Sequence, residues 1–122
     1  METALIFSTA PGAFTASATA AAGCVTSTNP CIWEGNWIGV DNTGTAKSAN
    51  GGSGISLTTG SGLTVGPSTS ASTKYRNVIS GNTGSGISAS VSATIQGNYI
   101  GTNAAGTAAL GNTVDGVAIT GG

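Results

Sequence analysis

The chain has 122 residues, a formal net charge of −1 and charged side chains at only 6% of its positions, which fits one domain. So few charges give no electrostatic basis for binding nucleic acid, and no apolar run approaches the roughly 18 residues that membrane insertion needs. With 21 glycines and regularly spaced Ile, Val and Thr, the composition indicates a folded, glycine-rich β protein.

The first 34 residues are the least regular part of the chain, and we interpret them as strands that complete a first coil. Their alanine content is typical of a secretory signal, yet Glu2 is the only charge before Cys24 and Pro11 interrupts the run. We expect short strands at 4–7 and 14–16. The expected domain organisation is 1–34 followed by 35–122.

Two cysteines, Cys24 and Cys31, flank the turn signal Asn29-Pro30. Their spacing predicts a short-loop disulfide and therefore an oxidising compartment, and the alternative is a pair of buried free thiols. Because the chain has no histidine and no second cysteine pair, we expect no metal site and no cofactor.

An internal repeat dominates the remainder: residues 35–58 recur at 97–120 without a gap, an offset of 97 − 35 = 62. Gly39 matches Gly101 and Asn50 matches Asn112. Short alternating runs divide each repeat into two units of three strands. The first strands are predicted to begin at Val25, Ile55, Ile87 and Val117. Three strands per unit predict a parallel β-helix of about four uncapped coils, spaced ~4.8 Å apart.

The two-residue period of a strand assigns side chains to the inside or the outside of these coils. The predicted core stack is Ile38, Ile79, Ile100, Ile55, Ile87 and Val117. Asn36, Asn77 and Asn98 share the inward orientation and are predicted to form an asparagine ladder, the alternative being ordinary turn residues. Trp37, Val78 and Tyr99 are predicted to face outward.

The segments GNYIGTNAAGTAALGN and RNVISGNTGSGI resemble repeats of secreted bacterial proteins with right-handed parallel β-helix domains, in the pectin-lyase-like superfamily. The resemblance covers roughly residues 35–122 and implies a right-handed helix located outside the cell or on its surface. That superfamily includes lyases, tailspikes, adhesins and structural solenoids, so the resemblance by itself does not assign a function.

Catalysis by this chain is not expected. Lyase or glycosidase chemistry needs paired carboxylates or a positioned base. The acidic residues are Glu2, Glu34, Asp41 and Asp115, and they are dispersed in the sequence. There is also no nucleophile elbow and no phosphate-binding loop.

The leading hypothesis is a structural extracellular subunit whose open ends stack head to tail into a filament, with itself as partner. The alternative is a fragment of a larger secreted surface protein or adhesin with carbohydrate-binding capacity. In that case Trp37 and Tyr99, two coils apart and so ~9.6 Å from each other, are the candidate glycan contacts unless loops cover them. Ice binding is disfavoured because no threonine column repeats at the coil period.

Overall fold

The computed structural model describes residues 5–7, 18–19, 31–41, 43–57, 63–67 and 76–121. These residues form strands and turns, and none of them is helical. The strands are β1 Leu5–Phe7, β2 Ala18–Thr19, β3 Cys31–Trp33, β4 Trp37–Ile38, β5 Ile55–Leu57, β6 Leu63–Val65, β7 Val78–Ile79, β8 Ile87–Ala89, β9 Ala93–Ile95, β10 Tyr99–Ile100 and β11 Val117–Ile119. β4, β6, β7, β8 and β10 are each followed directly by Gly or Ser, residues that favour turns.

The strands form three sheets in which every pairing is parallel. Sheet 1 has the order β1-β3-β6-β9, sheet 2 has β4-β7-β10, and sheet 3 has β2-β5-β8-β11. From β3 onward, successive strands enter sheets 1, 2 and 3 in turn. We call each set of three a layer: β3–β5, β6–β8 and β9–β11.

The register within the sheets follows the predicted repeat. Ile55 pairs with Ile87 and Ile87 with Val117, while Trp37 pairs with Val78 and Val78 with Tyr99. The 62-residue offset therefore corresponds to two layers, as the sequence predicted. The all-β character and the parallel strand pairing are confirmed.

The core lies between the three sheets, where inward side chains of successive layers contact one another. The buried cluster consists of Trp33, Ile38, Ile55, Leu57, Val65, Ile79, Ile87 and Ala89. All of these belong to the first two layers. The corresponding side chains of the last layer, such as Ile95 and Ile100, are only partly buried against this cluster.

The N-terminal strands differ in part from the expectation. β1 pairs with β3 in sheet 1, as predicted for residues 4–7. The strand that pairs with β5 is Ala18–Thr19, so the prediction of a strand at Val25 in this register is wrong. The prediction assumed that the first strands of successive units begin about 31 residues apart. The residue that pairs with Ile55 is instead Ala18, which lies 55 − 18 = 37 residues earlier, because register is set by which strands pair and not by the average repeat length. Val25 and the predicted strand at 14–16 lie outside the described residues.

Two further predictions concern the same region. The boundary proposed between residues 34 and 35 falls between β3 and β4, within a layer. Cys31 is the first residue of β3, and Cys24 lies outside the described residues, so their disulfide stays a prediction. Within the described ranges, no helix is long and apolar enough to cross a membrane.

Candidate assembly interface

An asparagine ladder runs along the start of sheet 2 through Asn36, Asn77 and Asn98, as predicted. Asn36 Nδ2 donates to Asn77 Oδ1 at 3.2 Å, and Asn77 Nδ2 donates to Asn98 Oδ1 at 2.8 Å. Asn77 and Asn98 also each donate to a backbone carbonyl of the preceding layer, those of Trp33 and Val65, both at 2.8 Å. The ladder thus joins all three layers through groups that would otherwise be buried without partners.

A second asparagine ladder precedes sheet 3 and was not predicted. Asn50 Nδ2 donates to Asn82 Oδ1 at 2.8 Å, and Asn82 Nδ2 donates to Asn112 Oδ1 at 2.9 Å. The sequence contained the signal, because each of these asparagines lies five residues before the first residue of β5, β8 or β11. The 62-residue repeat matches only Asn50 with Asn112, since Asn82 lies in the other half of the repeat.

Both ladders run in the same direction. In each, the side-chain N–H of one layer donates to the Oδ1 of the next layer toward the C-terminus. Asn36 and Asn82 add their backbone N–H groups to the same acceptors, at 3.0 and 2.9 Å. The two ladders therefore give the stack of layers a chemical polarity.

The last layer has no strand beyond it within the described residues. β9, β10 and β11 are each the outermost strand of their sheet, and we call the outer side of these three strands the β9–β11 edge. An outermost strand presents backbone N–H and C=O groups without ladder partners, which makes it a template for another strand.

Apolar side chains are exposed at this edge. Val117 is in register with Ile55 and Ile87, which are fully buried, yet Val117 is 38% exposed. Ile119 lies on the same inward side of β11 and is 63% exposed. Val117 was predicted to be a core residue. Its register is the predicted one, but it is not buried because nothing covers it among the described residues.

The predicted outward face of sheet 2 lies beneath two hairpins. Val40 pairs with Lys47, and Thr102 pairs with Ala109, in antiparallel bridges 62 residues apart. The hairpins contact each other through a 2.9 Å hydrogen bond from Ala104 N to Gly44 O. The layer between the two hairpins, β6–β8, has only a short turn after β7. The hairpins of the layers on either side of it therefore meet.

These hairpins explain the environment of the outward aromatic residues. Trp37 packs beside Gly44, Tyr99 packs beside Gly106, and both rings are half-buried. The Arg76 guanidinium lies 4.0 Å from the Tyr99 ring centroid, a cation–π geometry. Val78, predicted to face outward between the two rings, is 2% exposed. Glycan contact at Trp37 and Tyr99 stays a prediction, because the rings already have protein partners.

Asp41 organises the first hairpin. Its Oδ1 accepts hydrogen bonds from the Thr43 hydroxyl at 2.8 Å and from the backbone N–H of Thr45 at 3.2 Å. The Thr43 hydroxyl is the main cause that holds the pKa of this exposed carboxyl below its ordinary value. Because the folded pKa is depressed, this contribution to the hairpin is present at neutral pH and is lost as pH falls through that pKa. In the second hairpin Asn103 takes the same place and accepts from Thr107 N at 2.8 Å.

Within the described residues, no group of three Asp, Glu, His or Cys side chains is arranged to hold a metal ion. Of the predicted site residues, the structure joins the asparagines into a ladder and places the aromatics beneath hairpins. Comparison with protein-family models, with curated proteins and with solved structures finds no match, so the resemblance to pectin-lyase-like repeats stays a prediction.

Proposed function

We propose that this chain is a structural subunit, built as a right-handed parallel β-helix, that stacks head to tail into a filament outside the cell. The parallel sheets and the cyclic order of strands support the β-helix. The handedness and the extracellular location rest on the resemblance of its repeats. In this proposal the chain holds no cofactor and catalyses no reaction.

The exposed apolar column at the β9–β11 edge carries the proposal. Val117 and Ile119 continue a column of side chains that is fully buried in the two preceding layers. Fully burying an aliphatic side chain of this size stabilises by about 1.5–3 kcal/mol. Covering this edge with another β layer is therefore favourable, and the outer edges of β9 and β11, which have no further strand among the described residues, supply the backbone hydrogen bonds.

A second copy of the chain is the occupant that we propose. Sheets 1 and 3 have β9 and β11 at one side and β1 and β2 at the opposite side, and all their strands are parallel. Head-to-tail addition would place β1 of one copy beside β9 of another, and β2 beside β11, in the same parallel sense. A net charge of −1 offers little repulsion between copies.

Sedimentation velocity and negative-stain electron microscopy across a concentration series test the proposal. We expect the chain to form long, thin filaments as its concentration rises. Ile119→Asp should abolish them, because it places a charge in the buried column. Ala105→Asp adds the same charge to an exposed hairpin and serves as the matched control, which should assemble normally.

Two results would contradict the proposal. One is a monomer at every concentration, which would favour the alternative that the edge is covered by further β-helix in a larger surface protein. The other is assembly by Ile119→Asp equal to that of the unmodified chain, since that would exclude the β9–β11 edge as the contact.

A further inference from the structure

Asn50, the first asparagine of the second ladder, is followed directly by glycine. It is the only asparagine of the chain with this neighbour, and Asn82 and Asn112, at the equivalent places, are each followed by threonine. The backbone nitrogen of the next residue can attack an asparagine side chain. Glycine permits this attack most readily, because it has no β-carbon beside that nitrogen and its backbone is conformationally permissive, whereas threonine is branched there. Asn50–Gly51 is therefore the chemically reactive pair of the ladder.

The fold holds this pair in an arrangement that opposes the reaction. Asn50 is 3% exposed, and its Nδ2 donates to Asn82 Oδ1 at 2.8 Å. The backbone is fixed as well, because Asn50 O accepts a hydrogen bond from Thr83 N of the next layer at 3.1 Å. Attack would place negative charge on the buried side-chain oxygen and would break the hydrogen bond of Nδ2, and both are unfavourable away from water. The reaction is therefore expected only when this turn opens.

We propose that Asn50 is a deamidation site whose rate is set by opening of the second ladder. The inference goes beyond the proposed function and does not depend on assembly. In the opened turn, the Gly51 nitrogen loses its proton to solvent and forms a bond to Asn50 Cγ, and the Nδ2 group leaves as ammonia. The cyclic succinimide so formed takes up water and opens to aspartate or isoaspartate. The net reaction consumes one water and releases one ammonia, with no oxidation or reduction.

Deamidation would prevent the hydrogen bond between the two layers from forming again. The new carboxylate at position 50 is only an acceptor at neutral pH, and it would face Asn82 Oδ1, which is also an acceptor. Isoaspartate would in addition lengthen the backbone of the turn that precedes β5. An opening that ends in reaction therefore leaves a permanent weak point between the layers β3–β5 and β6–β8.

Peptide-resolved mass spectrometry, with chromatographic separation of isoaspartate, tests the inference on the purified chain at neutral pH. Asn50 should deamidate at least about tenfold faster in urea, where the layers are separated, than in buffer. Asn82 and Asn112 should react far more slowly than Asn50 in urea. Gly51→Ala should suppress the reaction there, and the fold accommodates this change because a β-carbon at Gly51 would have no neighbouring atom within 4 Å.

Asn82→Ala tests the protection without denaturant, because it removes the acceptor of Asn50 Nδ2. Deamidation of Asn50 in buffer should rise at least about fivefold, in proportion to the opened population. The unmodified chain at urea concentrations below its unfolding transition gives a second readout that needs no variant to fold. Its deamidation rate should increase steadily with urea.

The consequence of the reaction is tested by Asn50→Asp, which reproduces one product. It should lower the urea concentration at the unfolding midpoint, whereas Asn103→Asp should not, because Asp41 already fills the equivalent place in the first hairpin.

Three results would overturn the inference. Equal deamidation of Asn50 in buffer and in urea would show that the ladder does not protect it. Deamidation in urea as slow as that of Asn82 would show that Asn50 is not a reactive site. An Asn50→Asp chain as stable as the unmodified one would show that the reaction leaves no weak point.

Discussion

Asparagine is the residue on which the layers of this protein depend. Its amide offers two donors and one acceptor oxygen on a short side chain, which is what a site between two backbones 4.7–4.9 Å apart requires. Asn36, Asn77 and Asn82 are almost completely buried. Aspartate lacks the donors and glutamine is longer, so neither can replace an asparagine that donates to the next layer and accepts from the layer before it at this spacing.

The second ladder gives the clearest test at this scale. Asn82→Ala removes the acceptor of Asn50 Nδ2 and the donors to Asn112 Oδ1 and Ile38 O. Because buried polar groups are left unpaired, we expect the free energy of unfolding to fall by at least about 1–3 kcal/mol in urea denaturation. Thr113→Ala, at an exposed neighbouring position, should change it by less than about 0.5 kcal/mol. Equal stability of the two variants would contradict the role of the second ladder.

At the scale of elements, very short strands are stabilised by their neighbours in adjacent layers rather than by their own length. A strand of two or three residues buries little by itself, so each layer depends on contact with the next. Close contact between backbones then requires glycine at particular turns. Gly66, directly after β6, has φ +117°, and a β-carbon there would overlap the backbone carbonyl oxygen of Gln96 in the next layer.

Gly66→Ala should therefore separate layers that are now in contact. We expect a loss of more than about 1 kcal/mol in unfolding free energy, together with a lower melting temperature by circular dichroism. Gly111→Ala is the matched control, because a β-carbon at Gly111 would have no neighbouring atom within 4 Å and the φ of this glycine is not positive. A Gly66→Ala protein as stable as the Gly111→Ala protein would show that the layers can move apart at little cost.

For the whole molecule, the unequal burial of equivalent residues is the decisive feature. The column that includes Ile55 and Ile87 is closed within the fold but ends exposed at Val117. Stacking of copies would make that column continuous. Such stacking extends indefinitely when the two contacting surfaces differ and do not close into a ring.

The proposed filament has a predictable dimension. Sheets 1 and 3 each contain four strands, and strands within a sheet are ~4.8 Å apart, so one copy should advance the filament by ~19 Å. Cryo-electron microscopy or fibre diffraction measures this rise directly. A rise near ~38 Å, twice that of one copy, would indicate a dimeric repeat instead, and it would contradict simple head-to-tail addition.

Much of the architecture could be predicted from the sequence because it depends on local alternation and on a repeat. The strands from β3 onward, their parallel register and the ladder through Asn36, Asn77 and Asn98 follow from residue types at regular positions. The second ladder was also encoded, at a constant distance before β5, β8 and β11, but its middle member does not share the 62-residue offset.

What the sequence by itself determined is therefore the period, which fixes the residues that occupy equivalent places in successive layers. Only the tertiary structure decided the register of β2, the burial of Val78, and the exposure of Val117 and Ile119. These depend on which segments meet in space, and a period is the same whether a layer is covered or not.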